Sequence, residues 1–370
     1  MILIDSTLSA LADCLCPADD GEGRLAPREI DWTAVIELAN RHLLGPAVYA
    51  RLCKTGRDRR VPEDVLAYLA MLHELNIERN KALRRQVEEV IRTLNAAGVE
   101  PMLLKGAIAL VEPFSGEDNV STRMMRDLDI LVRRDAANRS ISALESLSYD
   151  VVNAHLEGYH AIADFVRMDM PGAVDLHVEL IDPEYVLPAR EVWQQATRLS
   201  VRGLKVFIPS PTHRMLHHLL HAQVHHLANF YRGDIVLSQL FEFTTLADRM
   251  RNRIDWQGIE ACMYGHRLKS VLHSYLIAAN RLFGMPWPLE TSPTPAARVH
   301  FRRCLLQIKY PSLGLPTVAW GNLRAAFAWH RMRALYGTRA WLLVCQTRHL
   351  LQFMKKMPMR HIFSRMFRTE

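Results

Sequence analysis

The chain of 370 residues contains no run of eighteen uncharged apolar residues, so no part of it reads as a membrane-spanning helix. Its start, Met1-Ile2-Leu3-Ile4-Asp5, has no basic flank ahead of its apolar residues, which argues against a secretory leader. Together these absences make a cytoplasmic protein the default expectation. The six cysteines, at 14, 16, 53, 262, 304 and 345, include no Cys-x-x-Cys pair and lack the density of a disulfide scaffold. They are expected to be reduced and mostly buried. No internal repeat is visible, which sets aside solenoids and propellers. Acid is scarce at one end: beyond Arg331 the only acidic residue is Glu370.

What is present is ordinary for a globular protein, with 49% hydrophobic and 23% charged residues. The length suits one elaborated domain or two. A net charge of +7 attracts anionic partners, whether nucleotide, nucleic acid or membrane. The excess gathers in the final segment, where Lys355, Lys356, Arg360, Arg365 and Arg368 alternate with Met354, Met357, Met359, Phe363 and Phe367. An amphipathic helix docked on its own domain is the favoured reading of that tail, with a nucleic acid or a membrane surface as the alternatives.

Periodicity divides the chain into an N-terminal helical region (1–97), a mixed core (98–209) and a C-terminal helical domain with the basic tail (210–370). Trp32 to Lys54 has apolar residues at helical spacing with Asp31 as N-cap, and a long helix runs from Val65 to Ala97 and is closed by Gly98. Val99 to Leu104 and Leu128 to Val132 read as short strands, with a short helix over Ala107 to Glu112 between them. A helix capped by Asp135 follows. Tyr149 to Val152, Ala161 to Met168 and Val174 to Leu180 read as strands, and Leu199 to Val201 pairs with Lys205 to Ile208 through a hairpin turn at Arg202-Gly203. Such alternation predicts a small mixed sheet with helices on one side, an α/β or α+β core. Helices return at Pro211 to Asn229, Ile235 to Arg251, Trp256 to Tyr264 and Leu268 to Phe283.

The polarised segment is Arg126-Asp127-Leu128-Asp129-Ile130-Leu131-Val132. Two residues apart on a strand, Asp127 and Asp129 project from one face, about 7 Å apart at the backbone. Two hard anionic ligands suit Mg²⁺, which takes few protein carboxylates and fills its shell with water and phosphates. Acids are disfavoured in strands, so the pair asks for a reason; its bland alternative is an exposed strand face or a salt bridge. A second alternating strand places Asp175, His177 and Glu179 on one face, and Asp175 can join the metal or accept a proton from an acceptor hydroxyl. His177 is expected to line the same pocket, and Glu179 lies further off. Lys105-Gly106, between a strand and a short helix, suits a phosphate approaching backbone N–H groups, although such pairs are common in turns. Arg123 and Arg126 offer guanidinium forks for phosphate oxygens, against a solvated loop as the plain reading.

Leu103-Leu104-Lys105-Gly106-Ala107, Arg123 through Val132, and Val174-Asp175-Leu176-His177, taken in order, resemble the uncharacterised nucleotidyltransferase family of the polymerase-beta-like superfamily. Members of that family are found in lasso-peptide and polysaccharide gene clusters. The resemblance runs from about Val99 to Trp256. It implies an α+β fold, a small mixed β-sheet of nucleotidyltransferase type embedded in a largely helical chain. It also implies Asp127 and Asp129 as metal ligands, Asp175 as the third acid, and Lys105 and Gly106 as the counterpart of a glycine-serine phosphate loop. Here the chain departs from the superfamily, with Lys-Gly-Ala in that loop and twenty residues between Gly106 and Asp127.

Histidines at 213, 217, 221 and 225 follow one another at i+4, with His218 and His226 beside them. Each such step drifts about 40° on an ideal helix, so the four cannot converge on one ion. Packing, or a pocket-lining role for His221 or His225, is the expectation. The cofactor set is Mg²⁺, with Mn²⁺ as the substitute, and an NTP such as ATP as co-substrate. The expected reaction moves an NMP group onto a hydroxyl or phosphate of a small-molecule or peptide acceptor. Its rivals are glycosyl or phosphoryl transfer from a nucleotide-linked donor, and a degenerate, non-catalytic module that binds nucleotide or RNA.

Overall fold

The computed structural model describes residues 4–16, 30–111, 121–154, 160–181, 184–225, 229–310, 312, 314–328, 332, 347 and 351. The expected helix end at Glu112, His226 and the basic tail from Met354 onward lie outside the described residues. Helices α1 (Ser6–Leu15), α2 (Trp32–Arg41), α3 (Gly45–Lys54) and α4 (Glu63–Ala96) come first. The pattern read as continuous from Trp32 to Lys54 is two helices. The break falls where Leu43 takes a positive φ of 56° and Pro46 opens the next helix, since proline cannot continue the preceding one. Asp31 caps α2 as expected, its carboxylate accepting from the Ala34 N–H at 3.0 Å.

The mixed segment contains β1 (Met102–Leu103), α5 (Lys105–Val111), β2 (Asp127–Leu131), α6 (Ala137–Ser146), β3 (Asp150–Ala154), β4 (Ala161–Val166), β5 (Ala173–His177), α7 (Ala189–Gln194), β6 (Thr197–Val201) and β7 (Leu204–Ile208). The strands form one seven-stranded sheet in the order β3-β4-β5-β2-β1-β7-β6. β2 runs parallel to β5 and β1 parallel to β7, and the other pairs are antiparallel. The β6–β7 hairpin turns at Arg202 and Gly203, both at positive φ (53° and 79°), the primed turn whose twist suits a two-residue loop. Asp135 does not cap α6. It sits in a tight turn over Arg134–Ala136, and the helix begins at Ala137 without a side-chain cap.

Helices cover both faces of the sheet, not one. On the first face, Leu83, Val87, Val90, Ile91 and Leu94 of α4 pack against Leu128 and Ile130 of β2 and Val174 and Leu176 of β5. The second face carries Met102, Leu104 and Leu131, which join a larger cluster with α1, α3 and the later helices α8 (Pro211–Gln223), α9 (Asn229–Arg232), α10 (Leu237–Arg249), α11 (Trp256–Gly265) and α12 (Lys269–Phe283). Two more helices, α13 (Pro295–Lys309) and α14 (Gly314–Ala326), follow. The physical reason is alternation: Leu131 and Leu104 point opposite to Leu128 and Leu103, so each face has apolar area that must be buried.

Along α4, positions 76, 80, 83, 87, 90 and 94 repeat at spacings of four and three, a single stripe. Its last four residues are apolar and dry. Its first two are asparagines, buried where the stripe passes beyond the sheet to the segment that leads into β2.

Candidate active site

Parallel pairing of β2 with β5 sets Asp129 directly opposite Asp175 and Asp127 opposite Ala173. The strand that carries Asp175 thus lies directly beside the strand that carries Asp127 and Asp129. Asp129 is almost fully buried, at 2% exposure, whereas Asp127 is exposed. Both acids, with Asp175, line a cavity of ≈ 1420 Å³ whose walls also include Lys105, Gly106, Arg123 and Arg126. Its opposite wall, from α8 and α10, includes Arg214, His217, His218, His221 and Glu242.

Lys105 donates from Nζ to Asp129 Oδ1 at 2.6 Å. His177 Nε2 lies 3.3 Å from the same oxygen and 2.9 Å from Asp175 Oδ2. Burial alone would raise the Asp129 carboxyl, but the Lys105 ammonium and the His177 hydrogen bond outweigh it and hold the group well below the usual carboxylate range. Burial likewise disfavours a charged His177, yet its bonds to Asp129 and Asp175 raise it to about 9. Asp127, although exposed along one side, is raised, first because the surrounding cavity walls reduce its hydration and then because Asp129 stands beside it.

His177 therefore does not sit where it was expected. It lies one pleat beyond Asp175, opposite Leu131, buried behind the acids and away from the cavity lining. His221 does line the cavity, with its ring 6.1 Å from that of His217 and 5.6 Å from that of His225. The histidines form a row rather than a cage, because α8 ends at Gln223 and His225 turns to His160, with 3.2 Å between the two Nε2 atoms. Burial lowers His217 to about 3 and His218 to about 4, so both are neutral at ordinary pH. Glu179 faces elsewhere, accepting from the Ala189 N–H at 3.0 Å and pairing with Arg134 at 3.4 Å.

Arg123 is ion-paired with Glu242 of α10. Its carbonyl accepts from Asn80 at 2.8 Å and from Asn76 at 3.1 Å, and Arg79 donates to the carbonyls of Met125 (3.1 Å) and Pro171 (2.7 Å). This row on α4 holds the segment that delivers Arg123 and Asp127 to the cavity. A Cβ on Gly106 would come within 2.7 Å of Met125 Sδ and 3.1 Å of Arg123 Nε. A side chain at this position would displace Met125 and Arg123, so the glycine lets that same segment lie close.

Several cavity residues escaped the sequence reading: His160, Asp164, Arg214 and Glu242. For Asp164 the signal was available, since it is an acid within the alternation of β4 and pairs with Asp175 across the strands. Arg214 and Glu242 lie on helices with no local mark of a site. The acids meet a simple test as a metal site. Asp129, Asp175 and His177 each offer a ligand atom within 4.8 Å of the others, and Asp175 Oδ1 is buried with no hydrogen-bond partner. A buried carboxylate oxygen in that state is poised for a cation.

The class the fold and site define is an α+β protein whose mixed sheet presents carboxylates from adjacent strands to a large cavity that is also lined by arginine and lysine. The chain belongs to the family described as uncharacterised nucleotidyltransferase, whose pattern matches residues 28–284, and it is a nucleotidyltransferase by that membership. Among solved structures it is similar to the antibiotic-resistance factor ANT(2'')-Ia, with 12% identity over 51% of this chain and 98% of the other and a TM-score of 0.33. It is also similar to an antigenic nucleotidyltransferase-like protein from Paracoccidioides brasiliensis, with 17% identity over 65% and 93% and a TM-score of 0.28. The family assignment rests on the sequence match and not on these loose likenesses. No curated protein matches the chain. No helix among the described residues is long and apolar enough to cross a membrane.

Proposed function

We propose that the protein transfers an NMP group from an NTP to a hydroxyl or phosphate of a small-molecule or peptide acceptor, with Mg²⁺ or Mn²⁺ held by Asp127, Asp129 and Asp175. The observation that carries this reading is the Asp129–Asp175 register across β2 and β5, which gathers three acids on one wall of the cavity. Its ≈ 1420 Å³ exceeds the roughly 300–1,000 Å³ of single-ligand pockets and leaves room for an acceptor beside a nucleotide.

The metal ion, when bound, would offset charge on the α-phosphate and on the leaving oxygen. Arg123, Arg126 and Lys105 orient the triphosphate, with Gly106 keeping the segment close, and His221 shapes the facing wall. Asp175 takes the proton of an acceptor hydroxyl as its oxygen bonds to the α-phosphorus; the bond from the α-phosphorus to the bridging oxygen breaks, and pyrophosphate leaves. In this scheme 98–209 is the reacting segment, 1–97 braces it through α4, and 210–370 supplies the wall opposite the acids.

Incubation with each labelled NTP and Mg²⁺ tests the reading by nucleotide binding and pyrophosphate release. Asp127→Asn and Asp129→Asn are expected to lower release on the order of 10²–10³-fold, the loss typical when charge stabilisation is removed from a reacting group. Release or binding equal to wild type in both variants would sink it. A binding-only reading draws on Asp129 already being neutralised by Lys105. It predicts nucleotide or RNA binding that survives EDTA and weakens steeply with salt.

A further inference from the structure

Lys105 has a part in the site that a phosphate-loop residue would not need. Its backbone is left-handed, at φ 44°, a conformation that side-chain-bearing residues rarely adopt. That turn follows β1 directly and brings the side chain over the neighbouring β2, where Nζ meets Asp129 Oδ1 at 2.6 Å. The side chain is only 17% exposed, so it is packed in place rather than waving in solvent.

We propose that Lys105 is a tethered cation standing where a second metal ion would otherwise be, so that the chain binds a single divalent ion between Asp127, Asp129 and Asp175. This rests on the metal-dependent reading above. Three observations lead to it. A pair of ions about 4 Å apart needs carboxylate oxygens for both, and Oδ1 of the buried Asp129 is already shared by Lys105 and His177. Among the described residues the side chains able to hold an ion form one cluster, Asp129, Asp175 and His177, with ligand atoms within 4.8 Å of one another, and Asp127 lies outside it. Finally, Lys105 Nζ and His177 Nε2 both lie against Asp129, and His177 also against Asp175, so the charge left for metal ions is reduced, which favours one divalent ion over two; Arg123 adds little to this, because Glu242 answers it. A fixed ammonium supplies charge as a second ion does, but it does not dissociate with product.

The test is the number of Mn²⁺ ions held by the full-length protein, measured by equilibrium dialysis and electron paramagnetic resonance without nucleotide. Wild type is expected to hold one ion with the six-line spectrum of an isolated Mn²⁺, and Lys105→Arg to do the same. Lys105→Met, with Lys105→Gln as a second variant, is expected to hold two ions with the broadened spectrum of a coupled pair. Folding is checked by circular dichroism. Two ions in wild type, or one ion in folded Lys105→Met and Lys105→Gln, overturns the role given to Lys105. No bound ion in wild type, or full retention by Asp129→Asn, overturns the metal site itself and is told apart by that count.

Discussion

The two faces of β2 and β5 share a backbone and differ in everything else. Leu128, Ile130, Val174 and Leu176 are fully buried against α4, where their contribution is apolar area removed from water. Asp127, Asp129 and Asp175, one residue out of phase, look toward α8 across a cavity. Asp129 is as buried as the leucines, and its charge is kept by the Lys105 and His177 contacts. The comparison teaches that a strand can anchor itself with one face and hold a strained electrostatic arrangement on the other. Burying an ionised carboxylate is costly unless it is paired, and the dry face supplies the stability that tolerates it.

The sharpest way to break this division is Ile130→Ala. It leaves a hole in the dry face and is expected to cost about 2–5 kcal/mol in chemical denaturation, with Mn²⁺ binding per folded molecule unchanged. Equal loss of stability and ion binding would show that the faces are not separable.

A smaller effect is expected where α4 passes from one role to the other. Asn80→Ala leaves the Arg123 carbonyl with one fewer donor and should cost about 1–3 kcal/mol. Because the same bond positions Arg123, the KM for NTP should rise more than kcat falls. An unchanged KM would make Asn80 a stabilising residue only.

The test spread over the widest range of conditions is pH, on protein kept metal-free with EDTA. The unfolded chain protonates His217 near its ordinary value of 6.5, and the folded chain near 3. That stability is present above 6.5 and is lost as pH falls toward 3. His177 runs the other way: raised to about 9, it contributes fully below 6.5 and is lost as pH climbs through 9. Stability should peak between these limbs, with His217→Leu flattening the acid limb and His177→Gln the alkaline one. A limb whose slope does not respond to its variant removes that histidine from the account.

Much of the fold was legible in the residues because the signals were local. Arg202-Gly203 marked its hairpin, Asp31 marked a helix start, and Asp127-Leu128-Asp129-Ile130 declared a two-faced strand. Asp175 was found by the same alternation. Asp135 misled, since a cap residue is only an offer to the backbone and here the chain tightened into a turn first. His177 misled differently: its strand face was read correctly, but depth along the strand decides whether a side chain reaches a cavity or lies behind it.

The sequence by itself determined the periods, the turns, the family and the polarised strand, because these depend on neighbours a few residues apart. Only the tertiary structure decided that β5 lies beside β2 in the register that faces Asp129 with Asp175, and that α8 closes the opposite wall with Arg214 and His221. It alone assigned Lys105 to Asp129, and the asparagines of α4 to the Arg123 carbonyl. Those pairings join residues far apart in the chain. They follow from how both faces of one sheet bury their apolar area at once, a condition that no local pattern contains.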